Sequence, residues 1–164
     1  MAVNLSEIAN TFFSLPSMKL PWNDLEICPS TDIAFNENEQ AIYYYSNGVW
    51  RIMDDSSLKF GPVARLIHNF LVNSFPNLSP STAKIIEVKE AIFRLIRHRF
   101  STETSSVFVA FKDQALDFRS FDFSVFNRFH FAVHAFPFTT ARLEDETPVF
   151  DAYLDRTFTD PQDR

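Results

Sequence analysis

Basic side chains crowd one short stretch of the chain: Lys84, Lys89, Arg94, Arg97, His98 and Arg99. Cations spaced along a single helix suit contact with phosphate, because each one displaces a counterion from a nucleic-acid backbone. The same charges also have local explanations. Glu90 and Arg94 stand four apart in the order that pairs across a helical turn. Arg97, His98 and Arg99 fall in the expected last turn, where cations complement the helix dipole without any ligand. On a helical wheel Arg94, Arg97 and His98 share a solvent face, with Glu87 and Glu90 beside them. The candidate DNA contacts are therefore Lys84, Arg94, Arg97, His98 and Arg99, as non-specific phosphate ligands, with solvation of the same face as the competing reading.

Other chemistries find less support. His130 and His134 have the i, i+4 spacing that two zinc ligands share on a helix. Their segment reads as a strand, where four residues span about 13 Å, too far for one ion. Cys28 is the only cysteine, so it forms no disulfide within the chain and no cysteine metal cluster. As a nucleophile it lacks a supporting motif, and a lone cysteine commonly packs as a small hydrophobe. Glu37/Glu39 and Glu144/Glu146 are carboxylate pairs that magnesium could use, and both lie in loop-like sequence. The chain has only 2 glycines, Gly48 and Gly61, against 20 phenylalanines. A P-loop and a dinucleotide fingerprint need closely spaced glycines, and a nucleophile elbow needs flanking ones, so none of them can be written here. No catalytic, metal or cofactor residue is assigned.

The basic stretch belongs to an expected pair of helices over residues 61–100. Val63, Leu66, Ile67, Phe70 and Leu71 recur on one helical face, with Pro62 at the first turn. After the connector Pro76-Asn77-Leu78-Ser79-Pro80, Ser79 is the expected cap. Ile85, Val88, Ile92, Leu95 and Ile96 form the second stripe. A connector this short makes the two helices antiparallel neighbours.

Around them, residues 1–40 read as an irregular N-terminal arm punctuated by Pro16, Pro21 and Pro29. Leu5 to Phe13 reads as a short helix capped by Ser6, one or two turns within the arm, and Trp22 and Leu25 pin it to the body. Residues 41–53 hold a β-hairpin about a type I′ Asn47-Gly48 turn. Its register pairs Tyr45 with Trp50 and Tyr43 with Ile52 on one face, and Tyr44 with Arg51 on the other. That aromatic face either packs on a core or stacks nucleobases. Residues 101–106 read as a polar loop, 107–111 and 115–118 as strands joined by Lys112-Asp113-Gln114, and 121–138 as one alternating strand. Residues 144–146 make an acidic loop, and 148–158 a helix with Val149, Tyr153 and Leu154 inward. The order implies an α+β fold: an antiparallel αα-hairpin with a β-hairpin before it and antiparallel strands plus a terminal helix after it.

The 164 residues suit one domain, with 46% hydrophobic content and a net charge of −6. That net charge argues against a generic nucleic-acid binder. Its distribution is uneven: −5 over residues 1–60, +4 over 61–112 and −5 over 113–164. No apolar run approaches the ~20 residues needed to span a bilayer, which predicts a soluble, intracellular protein with no membrane partner.

The C-terminal half adds a resemblance. Val107-Phe108-Val109-Ala110-Phe111-Lys112-Asp113-Gln114-Ala115-Leu116-Asp117-Phe118 resembles a motif of the domain that precedes the superfamily 3 helicase in poxvirus-type and phage-plasmid primase–helicases. There an apolar strand runs into Phe-Lys-Asn-Gly and an apolar-Asp-apolar strand; here Asp113-Gln114 replaces Asn-Gly. His130-Phe131, Phe136-Pro137-Phe138 and Pro148-Val149-Phe150 with Tyr153-Leu154 look like the pieces that follow. Tyr43-Tyr44-Tyr45-Ser46-Asn47-Gly48-Val49-Trp50 looks like the family's strand–turn–Trp hairpin. The likeness covers residues 41–158.

The resemblance implies that residues 41–164 are a helicase-associated linker-and-collar domain, non-catalytic itself, that helps DNA engagement and ring assembly. Its parent would be a viral or mobile-element primase–helicase, homo-oligomeric and possibly hexameric, in host cytoplasm or nucleoid. ATP and magnesium would serve only a downstream helicase. An Asp-x-Asp primase centre is absent from the sequence. The rival expectation is a Phe-rich protein-interaction or self-assembly module with no DNA role.

Overall fold

The computed structural model describes residues 4–53 and 61–140. Two four-stranded sheets and a helical layer make up an α+β fold. The first sheet contains β3 (Ile33–Asn36), β4 (Ala41–Ser46), β5 (Val49–Ile52) and β6 (His98–Phe100), in the order β5-β4-β3-β6. Within the β4–β5 hairpin Tyr43 pairs with Ile52, Tyr44 with Arg51 and Tyr45 with Trp50, the register expected from the sequence. Asn47 and Gly48 take φ of 49° and 86°, as a type I′ turn requires.

Three helices cover one face of this sheet: α1 (Leu5–Ser14), α3 (Pro62–Ser74) and α4 (Thr82–Leu95), while the short α2 (Pro29–Asp32) leads into β3. Ile8, Phe12, Leu66, Ile67, Phe70, Leu71, Val88 and Ile92 pack there against Ile33, Phe35, Ile42 and Tyr44. The αα-hairpin is present, though Ser81 rather than Ser79 caps α4, its side chain accepting the Lys84 N–H.

Residues 4–40 are not an irregular arm. Asn4, not Ser6, caps α1, and Ile8, Ala9 and Phe12 are buried, with Phe12 edge-on to Phe70 at 5.2 Å between ring centres. The amphipathic spacing of Ile8 and Phe12 suffices for a helix once α4 offers an apolar partner. A small antiparallel pair, β1 (Met18–Lys19) with β2 (Glu26–Ile27), follows, and β3 is an interior strand of the main sheet. Trp22 and Leu25 do pack on this core, Trp22 edge-on to Tyr44.

The opposite face of the sheet is covered too. Ala34, Ala41, Tyr43, Trp50 and Phe100 are buried together, with Tyr45, Phe131 and Val133 against them. Trp50 is 1% exposed and its indole N–H donates to the Arg128 carbonyl at 2.8 Å, so the hairpin's aromatic face is core and not a stacking surface.

After the short α5 (Thr102–Ser105), where a polar loop was expected, comes the second sheet. It comprises β7 (Phe108–Ala110), β8 (Ala115–Asp117), β9 (Asp122–Ser124) and β10 (His134–Ala135), in the order β10-β7-β8-β9. The β7–β8–β9 meander is antiparallel, but β10 joins β7 in parallel. Residues 121–138 are therefore not one strand. The alternation breaks at a 3-10 turn, Arg128–His130, closed by Phe131 in the left-handed region at φ 49°. This break lets Phe131 stack on Phe100 at 5.0 Å and on Trp50 at 5.7 Å, tying the second sheet to the first. The Trp50 N–H to Ala132 carbonyl bond at 2.7 Å adds to the joint. The expected acidic loop at 144–146 and helix at 148–158 lie outside the described residues.

Candidate nucleic-acid interface

The basic segment does not form one helical face, because α4 stops at Leu95. Ile96 is extended, and His98–Phe100 pairs in parallel with β3. Neighbouring residues of a strand point to opposite sides of a sheet, so His98 and Arg99 separate. The physical reason lies outside the segment: β3 would otherwise leave an unpaired edge in the core. Burial of Ile96 and Phe100 in the two cores then favours the extended chain.

Each predicted contact has a distinct setting. Lys84 sits in the first turn of α4 and its Nζ lies 3.2 Å from Glu87. Arg99 lies with its guanidinium 5.0 Å from the Phe35 ring centre. It donates at 2.9 Å to the Phe93 carbonyl, one of the last carbonyls of α4, and a looser approach to Glu37, 3.9 Å, completes its surroundings. Arg99 thus closes the helix end. His98 is half-buried on the other side of the sheet, edge-on to Phe129 at 5.7 Å. Burial lowers its pKa, helped by the charge of Arg128, so it is neutral at physiological pH and a poor phosphate ligand. Lys89, also in the basic stretch, is buried with Nζ 5.2 Å from the Phe93 ring centre.

Arg94 and Arg97 remain exposed, with no ion pair among the described residues. The Glu90–Arg94 pair expected on the helix is not formed at salt-bridge distance. Arg94 and Arg99 line a shallow groove of about 590 Å³ together with Glu37 and Glu90, so its cationic character is partly offset.

His130 lies flat on Phe108 at 4.0 Å and His134 is exposed in β10. No group of three or more metal-ligating side chains occurs among the described residues. The Cys28 thiol lies 3.3 Å from the Ser30 hydroxyl, and hydrogen bonds from Ser30 and Thr31 lower its pKa. The Tyr43 hydroxyl donates a hydrogen bond to the Glu39 carboxylate. Burial, with this carboxylate adding to it, raises the tyrosine's pKa well above its ordinary value. Among the described residues no helix is long and apolar enough to cross a membrane.

A Phe-rich surface is what the rival reading of the sequence expects, without naming its residues; the structure places them on and around the second sheet. Phe121, Phe129 and Phe138 are 71%, 63% and 63% exposed, and Phe118, Phe123 and Phe136 are nearly half exposed. Phe136, Phe111 and Phe123 form a touching series, 5.5 and 6.1 Å between successive ring centres. An abundance of phenylalanine larger than one core of this size absorbs was the available signal. Arg51 and Lys112, both exposed at the junction of the two sheets, were missed.

At the β7–β8 turn neither Asp113 nor Gln114 takes a positive φ. The turn is thus of a type that needs no Asn-Gly. Phe111 N–H donates to the Gln114 carbonyl, and the Asp113 carboxylate accepts from both the N–H and the hydroxyl of Thr140. Comparison of the chain with models of known protein families finds no match, and comparison with curated protein sequences finds none either.

Proposed function

We propose that this chain is a non-catalytic accessory domain of a viral or mobile-element replicative DNA primase–helicase, which helps to engage DNA and to assemble the ring. The observation that carries this reading is the phenylalanine-rich second sheet. Three of its exposed rings, Phe118, Phe136 and Phe138, belong to the segments that resemble the primase–helicase family, and exposed apolar side chains grouped on one part of a surface mark a place that a macromolecule covers. The order of a β-hairpin, an αα-hairpin and an apolar-Asp-apolar strand pair supports it further. DNA engagement through the basic stretch narrows to Arg94 and Arg97. ATP and magnesium belong, on this reading, to a helicase domain outside the chain.

The test is DNA binding as a function of salt. Affinity should fall steeply as salt rises, and Arg94→Glu with Arg97→Glu should weaken binding to every sequence alike. Binding that survives this double reversal unchanged removes the two arginines from the interface.

The net charge of −6 and the loss of Lys84, His98 and Arg99 to internal contacts favour a second reading, a self-assembly or protein-interaction module with no DNA role. Concentration-dependent oligomers that Phe121→Asp disperses, together with no DNA binding at low salt, select it.

A further inference from the structure

A cleft of about 670 Å³ opens where the two sheets meet. One wall is the outer end of the hairpin, with Arg51; the other is the second sheet, with Phe111, Lys112 and Phe136. Phe126, packed against Gly48, joins the two. The Phe111 and Phe136 rings stand 5.5 Å apart, and Phe136 is 49% exposed. Arg51 and Lys112 are exposed, and neither has an ion-pair partner among the described residues. No acidic side chain lines the cleft among the described residues. The nearest in sequence, Asp113, is turned to Thr140, 2.9 Å from its N–H and 2.6 Å from its hydroxyl.

Two cations with no ion-pair partner among the described residues stand beside aromatic rings on a chain of net charge −6. They complement a ligand that is both polyanionic and planar-aromatic. A nucleic-acid single strand is such a ligand: its bases stack on aromatic rings whatever their sequence, while its phosphates lie against cations. A duplex keeps its bases in the stack and offers only phosphates. We propose that this cleft binds single-stranded DNA, with bases stacked on Phe111 and Phe136 and phosphates held by Arg51 and Lys112. The inference rests on the DNA-engagement part of the proposed function and adds a site that contains neither Arg94 nor Arg97.

Fluorescence anisotropy with the full chain tests it, using a labelled oligothymidylate of about 16 nucleotides and a duplex of equal length. The single strand should bind more tightly than the duplex. Phe136→Ala should weaken single-strand binding roughly 5- to 100-fold while leaving duplex binding and the melting temperature unchanged. Arg51→Glu with Lys112→Glu should weaken binding and reduce the log–log salt slope by about 1.4, two phosphates at roughly 0.7 each. Equal affinity for single strand and duplex overturns stacking. If only the Arg94→Glu, Arg97→Glu pair weakens binding, DNA engagement stands and the cleft assignment falls. If neither DNA binds at low salt, both fall. If a glutamate–tyrosine copolymer binds the cleft and the oligonucleotide does not, the occupant is an acidic peptide and the proposal is overturned.

Discussion

Gly48 meets two demands at once. Its φ of 86° lies in the left-handed region, and a Cβ placed on it would stand 2.6 Å from the Phe126 ring. The first demand comes from the type I′ turn and is readable in the Asn47-Gly48 pair. The second comes from a ring far along the chain, and no local pattern reports it. Gly48→Ala should therefore cost more than the turn alone, about 1–3 kcal/mol, through backbone strain and a displaced Phe126. Urea unfolding monitored by tryptophan fluorescence measures it, and combining Gly48→Ala with Phe126→Ala separates the two causes. A midpoint equal to that of the unsubstituted chain would mean that the hairpin does not dock on Phe126. The basic residues make the same point about what one position can report. Arg94 and Arg99 look alike in sequence, yet Arg99 closes the end of α4 through the Phe93 carbonyl while Arg94 stays in solvent.

At the scale of elements, local periodicity identifies what it can and fails where two periods coincide. The β4–β5 register and the αα-hairpin follow from turn chemistry and the 3.6-residue spacing of apolar side chains. Past Leu95 the pattern is ambiguous: Ile92, Ile96 and Phe100 fit a continued helix, whereas Ile96, His98 and Phe100 fit a strand. The edge of β3 decides for the strand, and the candidate site disperses with it. Residues 121–138 fail for the related reason that alternation alone does not exclude a turn such as the one at Arg128–His130. In the N-terminal segment the helix is legible in the spacing of Ile8 and Phe12, whereas the paired strands that follow it among three prolines are not. If α1 belongs to the core as these residues show, Phe12→Ala should destabilise the whole chain by about 3–5 kcal/mol. Denaturant unfolding monitored on Trp50, which lies in the other core cluster, gives the value. A loss under about 0.5 kcal/mol, as for a surface residue, would return α1 to the status of an appendage.

On the scale of the whole molecule, the first sheet is buried on both faces and the second is joined to it through Phe131, Ala132 and Trp50. Two histidines sit beside this joint. His98 stands edge-on to Phe129, and His130 lies on Phe108 with its Nδ1 buried and without a hydrogen-bond partner among the described residues. Burial lowers both pKa values below the ordinary histidine value. Arg128 and, to a smaller extent, Arg97 lower that of His98 further, while a hydrogen bond with the Ser30 backbone and the charge of Asp32 oppose the shift; Asp117 opposes it at His130. A histidine whose folded pKa is depressed binds its proton more readily when unfolded, so stability rises with pH between the folded and unfolded values. Its contribution is complete above about pH 6.5 and is lost as pH falls through the folded pKa. Lowering the pH from about 7.5 to about 5 should therefore reduce the melting temperature, although it also relieves repulsion within a chain of net charge −6. Asp113 and Asp117 carry lowered pKa values through hydrogen bonds from Thr140 and Arg119, and their contributions disappear only in more acidic solution. The two windows are thus distinct. His98→Gln with His130→Gln should flatten the upper window and leave the lower one in place. Thermal unfolding across the pH range reads both, and an upper slope that persists in the double variant would move its origin away from the joint between the sheets.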